Sequence, residues 1–138
     1  MVSLTLLVAE DICMSENFHG SCPDRSVIVI QSASFGRMKL GRCIEVDVGY
    51  MGCENDVLFL ADRWCSGHRK CTIIVPNEDL QVANTECNIR GLSPYLELNY
   101  ECVIGKKLHL CLHHLSYTSY YIQRLISEDA NFLTCKLW

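Results

Sequence analysis

The chain alternates short apolar runs with polar and glycine-containing stretches. The segment SVIVIQSASFGR (26–37) is apolar and β-branched, which predicts a buried strand. SPYLELNYECV (93–103) alternates polar and apolar positions, with Tyr95 on the polar side, and this predicts a strand with one buried face. Two shorter runs, LTLLVA (4–9) and CTIIVP (71–76), predict additional strands.

Helical spacing appears in two places. In DVLFLADRWCSG, apolar residues recur every three or four positions, which predicts a main helix with its inner face at Val57, Leu60, Ala61 and Trp64. A short second helix is predicted in NEDLQVANTEC (77–87), with Asn77 as its cap. The stretch 37–56 has no period and is interpreted as a loop held by cysteines. These elements predict a small α+β domain of short strands, one main helix, a short helix and cross-linked loops.

Composition and charge narrow the functional classes. The 138 residues are 49% hydrophobic and 20% charged, so the chain can bury a core. The formal net charge is −4 and no basic block is present, which argues against nucleic acid as a partner. No apolar run approaches the roughly 20 residues needed to span a bilayer, so no membrane span is expected. No nucleophile-elbow, zinc-protease or phosphate-loop motif occurs, and neither catalysis nor a cofactor is expected.

The cysteines are the strongest signal in the sequence. Eight of the ten fall between residues 13 and 102, and the set is Cys13, Cys22, Cys43, Cys53, Cys65, Cys71, Cys87, Cys102, Cys111 and Cys135. No pair has CxxC spacing, so we interpret them as a disulfide framework from an oxidising, extracellular compartment and expect no metal. Spacing alone leaves the pairing open. The N-terminal run lacks the basic residues of a signal peptide, so we expect a truncated start or a piece of a larger extracellular protein.

Four segments in order resemble the SUEL-type galactose- or rhamnose-binding lectin domain, a family found in fish egg lectins and in the ectodomains of latrophilins and polycystin-like proteins. Cys13 and Cys22 enclose eight residues ahead of a strand. SASFGR is similar to the family's SANYGR, RWCSGHRKCTIIVP to its RCNGRxxCxVxxx, and PYLELNYECV to its closing KYLEVxYECx. The resemblance implies two antiparallel sheets with helices packed on them. It also implies the disulfides Cys13–Cys43, Cys22–Cys102, Cys53–Cys87 and Cys65–Cys71.

The resemblance also implies where a sugar would bind. The tyrosine of the family's YGR lines the sugar pocket, and Phe35 stands at that position. Phe35 would then be an apolar platform, Gly36 a sharp turn and Arg37 a hydrogen-bond donor. The alternative is that Phe35 belongs to the core and that Gly36 and Arg37 form a simple turn. Gly91 is the one match to the family's second sugar-binding stretch, so the groove would lie between FGR and the Gly91 loop.

The other polar contacts of the family are replaced in this sequence. Met14 stands where family members often carry a glutamate, and Thr85 and Pro94 replace an aspartate and a lysine. Glu16, two residues beyond Met14, and Arg90, in an insertion, are the candidate substitutes.

The predicted function is that of an extracellular lectin module of galactose or rhamnose type with a degenerate sugar site, whose partners are glycans. The alternative is an adhesion or structural module that has lost sugar binding and contacts cell-surface proteins. The lectin-like domain is expected to cover residues 1–103. The extension 104–138 is expected to be a helix docked on the domain, with Cys111 paired to Cys135, or a frayed extension, and we prefer the second interpretation.

Overall fold

The computed structural model describes residues 7–85 and 87–104. In them the apolar and polar pattern produces six strands and two helices. The predicted Cys111–Cys135 pair and the extension from residue 105 onward lie outside them. The elements in chain order are β1 (Leu7–Ile12), β2 (Asn17–Ser21), β3 (Ser26–Arg37), β4 (Cys53–Asp56), α1 (Leu58–Cys65), β5 (Lys70–Ile74), α2 (Glu78–Ala83) and β6 (Tyr95–Ile104).

The strands form two antiparallel sheets. The larger sheet has the order β1–β6–β3–β4, and β2 pairs with β5 in the smaller one. The long central pair runs from Ser26 opposite Ile104 to Gly36 opposite Tyr95. This architecture confirms the predicted α+β domain of antiparallel sheets with a main and a short helix.

A β-bulge in β3 decides which side chains of that strand reach the core. The pairing of β3 with β6 shifts register between Ile30 and Ser32. Because side chains alternate between the two faces of a strand, one extra residue exchanges the faces. Ile28 and Ile30 enter the core before the bulge, and Ala33 and Phe35 enter it after the bulge. The bulge therefore directs the aromatic ring of the FGR segment inward.

The two helices form where the sequence predicts them. Helix α1 packs against β3 and β5, and its Ala61 and Cys65 join the core together with Val57 at the helix start. Helix α2 begins after Asn77, whose Oδ1 accepts a hydrogen bond from the N–H of Leu80 at 2.9 Å. That bond satisfies one of the free donors of the first turn, as the sequence predicts.

Three strands differ from the prediction. β2 was not predicted, β4 lies in the stretch interpreted as a loop, and β1 ends at Ile12 instead of Ala9. The sequences of β2 and β4, NFHGS and CEND, are short and largely polar, so they become strands only by pairing with β5 and β3. In β6, Tyr95 lies on the predicted polar side of the strand but is buried, and its hydroxyl accepts the N–H of Lys39 at the start of the β3–β4 loop.

Four disulfides connect these elements, and they are the pairs that the family resemblance implies: Cys13–Cys43, Cys22–Cys102, Cys53–Cys87 and Cys65–Cys71. The bridge from Cys65 to Cys71 fastens the end of α1 to β5. The bridge from Cys22 to Cys102 fastens the end of the small sheet to β6 and encloses most of the described chain.

Candidate functional site

Phe35 does not form an open platform for a sugar. Its side chain is 1% exposed and packs in the core, because the bulge in β3 turns it inward. Across the sheet, Phe35 lies opposite Asn55 of β4 and Leu96 of β6. A ring without an exposed face has no surface for a ligand to stack on. The expectation that Phe35 is an apolar platform is therefore corrected, and the alternative interpretation, a core residue, is the one that the structure shows.

Gly36 is required by close packing and not by a turn. It lies within β3, and a Cβ placed on it would be 2.5 Å from the backbone oxygen of Cys53 and 2.7 Å from Sγ of Cys87. Both atoms belong to residues of the Cys53–Cys87 disulfide. Protein interiors are close-packed, so no side chain fits between the strand and this bridge. Gly36 thus allows the disulfide to lie directly against β3.

Arg37 is a buried cation that connects two loops. Its side chain is 4% exposed, and Nη1 donates to the backbone oxygen of Ser93 at 2.8 Å while Nη2 lies 3.9 Å from Sδ of Met51. Its carbonyl accepts the N–H of Gly52 at 2.7 Å. Its Nε has no hydrogen-bond partner, and no carboxylate among the described residues forms an ion pair with it. At this depth Arg37 positions the segments before β4 and β6 and does not present a donor on the surface.

Glu16 lies on the surface in a bidentate ion pair with Arg42. Its two carboxylate oxygens each accept from the guanidinium at 2.7 Å, and Oε2 also accepts the N–H of Cys13 at 3.0 Å. The Arg42 hydrogen bond and then the Cys13 N–H lower the pKa of Glu16 from its ordinary value of 4.5 to about 2. Glu16 and Arg42 are 42% and 57% exposed, so this pair is ionised, oriented and open to solvent.

A second ion pair joins Lys39 to Glu97. Lys39 Nζ lies 3.0 Å from Oε2 of Glu97, and their side chains are 61% and 29% exposed. The Glu97 hydrogen bond raises the pKa of Lys39. The N–H of Lys39 donates to the hydroxyl of Tyr95 at 3.3 Å, and burial raises the pKa of that hydroxyl. Tyr95 therefore anchors the start of the β3–β4 loop that carries Lys39.

The two ion pairs are brought together by Asp11 of β1. Asp11 lies opposite Glu97 in the strand register, and its backbone oxygen accepts a hydrogen bond from Arg42. Its charge also contributes to the raised pKa values of Lys39 and Arg42. We define the charged face as the surface formed by Asp11, Glu16, Lys39, Arg42 and Glu97.

Of the charged face, sequence reasoning found only Glu16. Lys39 and Arg42 lie in an aperiodic loop, and Asp11 and Glu97 lie on strands that are distant in sequence. Only the register of β1 on β6 and the course of the loop bring them together. No spacing signal in the sequence could have identified this cluster.

The Gly91 loop connects α2 to β6. Gly91 has φ +82°, in the left-handed region that favours glycine, and Arg90 beside it is exposed. No hydrogen bond among the described residues joins Arg90 or Gly91 to the charged face. Thr85 donates from Oγ1 to Oδ1 of the buried Asn55 at 3.2 Å. Thr85 therefore completes an internal network at the position where the resemblance implies an aspartate.

The described part of the chain shows neither a metal centre nor a membrane-spanning helix. No group of three or more His, Cys, Asp or Glu side chains there could hold a metal ion. No helix within the same residues is long and apolar enough to cross a membrane.

The structure is a small antiparallel domain cross-linked by four disulfides, with paired charges exposed at one end of its main sheet. Comparison with known families assigns it: the model of the D-galactoside/L-rhamnose binding SUEL lectin domain matches residues 20–102, more than half of the chain. The protein belongs to this family and is a carbohydrate-binding lectin module, of a kind that is in general not catalytic. A search of curated proteins finds no match.

Proposed function

We propose that the protein is an extracellular lectin module for D-galactosides or L-rhamnosides, and that the sugar binds on the charged face. One observation carries this proposal: four ionised side chains in two ion pairs converge on a single exposed surface at the end of the larger sheet. This surface adjoins Cys13, the neighbour of Met14, and Tyr95, the neighbour of Pro94. The family's glutamate and lysine are missing at these two positions, and the charged face supplies both signs of charge beside them.

The chemistry of the charged face suits vicinal hydroxyl groups. A hydroxyl both donates and accepts, so a site for two neighbouring hydroxyls needs carboxylate acceptors next to cationic donors. Hydrogen bonds to ionised groups are about twice as strong as neutral ones. The ion pairs Glu16–Arg42 and Lys39–Glu97 hold these groups in fixed geometry before a ligand arrives, which reduces the cost of ordering them.

The affinity for a monosaccharide should be weak. Phe35 is buried, so the charged face has no aromatic platform from the FGR segment, and most of its groups are already paired with each other. We expect dissociation constants near the millimolar range, about −4 kcal/mol.

The disulfides support the extracellular part of the proposal. Four bridges in one small domain are typical of secreted proteins and ectodomains, which fold in an oxidising environment.

A glycan array, followed by titration with D-galactose and L-rhamnose, tests the proposal. Arg42→Gln should weaken binding by about tenfold, because it removes a charged donor and releases Glu16. Arg69→Gln is the matched control. Arg69 also pairs with a carboxylate, Asp24, at 2.7 Å and donates to a backbone oxygen, that of Cys22, but it lies near the opposite end of β6.

Two results would count against the proposal. Sugar binding that is unchanged in both Arg42→Gln and Lys39→Gln would show that the site lies elsewhere. The absence of any bound glycan would instead favour the alternative function, an adhesion module that contacts cell-surface proteins.

A further inference from the structure

Basic side chains collect at one end of the small sheet, away from the charged face. The fold packs the turn between β2 and β3 against the loop between α1 and β5. The N–H of Cys22 donates to the backbone oxygen of Arg69 at 2.9 Å, although 47 positions separate the two residues. The N–H of Ile28 donates to the backbone oxygen of His68 at 2.8 Å. We define the basic face as the surface formed by four exposed residues, Arg25, His68, Arg69 and Lys70.

The guanidinium of Arg69 is oriented by the turn between β2 and β3. Its Nε donates to the backbone oxygen of Cys22 at 3.2 Å, and its Nη2 lies 2.7 Å from Oδ1 of Asp24. The side chains of Arg69 and Asp24 are 54% and 83% exposed, so water competes with the ion pair and the attraction is weak. An anion from solvent can therefore replace Asp24 on a guanidinium that is already held in place.

Arg25 and Lys70 add positive charges to the basic face. Neither forms an ion pair with a carboxylate among the described residues. Arg25 directly follows Asp24, and Lys70 lies opposite Ser21 at the end of the small sheet. The segments 20–28 and 66–74, which build this end of the molecule, contain a single acidic residue, Asp24. The basic face is therefore locally positive on a chain whose formal net charge is −4.

Uncharged hydrogen-bonding groups adjoin the basic face. The exposed side of the small sheet carries Ser21 opposite Lys70 and His19 opposite Thr72. Nδ1 of His19 lies 3.3 Å from Oγ1 of Thr72. Neither β2 nor β5 contains an acidic residue, so neither strand repels an anion. Cations beside neutral donors and acceptors match a ligand that carries both anionic groups and hydroxyl groups.

We propose that the basic face binds the sulfate groups of a sulfated polysaccharide. Arginine forks and lysine ammonium groups suit anions that present several oxygens, such as sulfate esters. The neutral groups on the small sheet suit the hydroxyl groups between the sulfates. The basic face shares no residue with the charged face and takes an anionic ligand, so this interaction goes beyond the proposed function.

Two features favour a sulfated polysaccharide over other polyanions. The segments 20–28 and 66–74 contain no Phe, Tyr or Trp on which nucleic-acid bases could stack. Anionic phospholipids are concentrated in the cytoplasmic leaflet of membranes, whereas the four disulfides indicate an oxidising compartment. This choice of partner rests on the extracellular location proposed above.

Titration of the full chain with a heparin oligosaccharide and with its desulfated counterpart tests the proposal. We expect the sulfated form to bind more tightly, and its affinity to fall as salt rises to about 0.15 M, where charges are screened over about 8 Å. The double variant Arg25→Gln and Lys70→Gln should weaken binding by roughly tenfold. The control is Arg63→Gln with Arg90→Gln, two exposed cations outside the basic face. It changes the net charge equally and should alter the affinity by less than about twofold.

Asp24→Asn provides a test that a loss of folding cannot imitate. The substitution removes the single carboxylate of the basic face and releases the guanidinium of Arg69. We expect it to tighten heparin binding by about threefold. Asp79→Asn is the matched control, because Asp79 also pairs with an arginine, Arg63, at 3.5 Å, and it should leave the affinity unchanged.

The charged-face variant Arg42→Gln separates this proposal from the proposed function. Heparin binding should persist in Arg42→Gln, whether or not the charged face binds D-galactose or L-rhamnose. Four results would overturn the basic face as a site for sulfated polysaccharides. They are no heparin binding at low salt, equal binding of the desulfated form, equal losses in the two double variants, and tighter binding of single-stranded DNA or phosphatidylserine vesicles at the same salt.

Discussion

At the residue scale, Gly36 is the position where the fold tolerates least change. Gly36→Ala would push a methyl group into the backbone of Cys53 and into Sγ of Cys87, neither of which is a flexible chain end. We expect a loss of about 1 to 3 kcal/mol in the free energy of unfolding, measured by denaturant titration. Gly41→Ala is the matched control, because a Cβ there meets nothing within 4 Å, and it should stay within about 0.5 kcal/mol. Equal stability of the two variants would contradict the packing argument.

The Glu16–Arg42 pair should make the stability of the folded protein depend on pH in the acidic range. The folded pKa of Glu16, about 2, lies below its ordinary value of 4.5. The contribution of the pair is therefore fully present above about pH 4.5 and is lost as the pH falls toward 2. Glu16→Gln should be less stable than the natural protein at neutral pH, and the difference in melting temperature should vanish near pH 2. NMR titration of the Glu16 carboxyl checks the cause directly, and a carboxyl that titrates near 4.5 would refute it.

Phe35 shows why a motif alone did not locate the site. The segment SASFGR was identified from the sequence as the end of a buried strand, and that is confirmed. Which face the ring takes depends on the bulge between Ile30 and Ser32, which the sequence does not reveal. One extra residue reverses the alternation of a strand. The family motif was recognised correctly, but the role assigned to Phe35 was wrong.

At the scale of elements, prediction succeeded where a segment carries its own pattern. β3, β6, α1 and α2 have apolar runs, alternation, helical spacing or a capping residue, and each was predicted. β2 and β4 have none of these signals and owe their form to partners that are distant in sequence. The charged face depends on the same kind of long-range pairing, so it was also missed.

The disulfides close loops of different chain length, so removing them should lower the free energy of unfolding by different amounts. Cys65–Cys71 spans 6 residues and Cys22–Cys102 spans 80. In the chain-entropy model, bridges over these separations stabilise the folded state by about 2 and about 4.5 kcal/mol. Each pair has one buried cysteine and one that packs at the edge of the core, so replacing both members with Ala leaves similar cavities. We expect the Cys22–Cys102 double variant to be the less stable one in denaturant titration.

The identity of the pairs is checked first by mapping peptides without reduction. Cys65 should be recovered joined to Cys71, and Cys22 joined to Cys102. A larger loss of stability from removing the short bridge would show that local strain or packing, and not loop closure, dominates these bridges.

At the scale of the whole molecule, the described residues form a closed unit. The core extends from Ile12 to Tyr100, and the eight cysteines between residues 13 and 102 are paired with one another. The Cys13–Cys43 bridge joins the loop after β1 to the loop after β3, which carry Glu16 and Arg42 of the charged face. In a domain of this size the disulfides therefore help to hold the two loops of the charged face in place.

Because the described residues form a closed unit, truncating the chain after them tests where the domain ends. The sequence places the boundary after residue 103, whereas β6 continues to Ile104, which lies opposite Ser26. We expect a chain that ends at Gly105 to fold with the melting temperature of the full chain, because it retains every core residue and every bridge described above. A chain that ends at Tyr100 is the control and should not fold stably, since it leaves Cys22 without its partner and shortens the central pairing. If the chain ending at Gly105 also cannot be obtained folded, the extension is part of the fold and the proposed boundary is wrong.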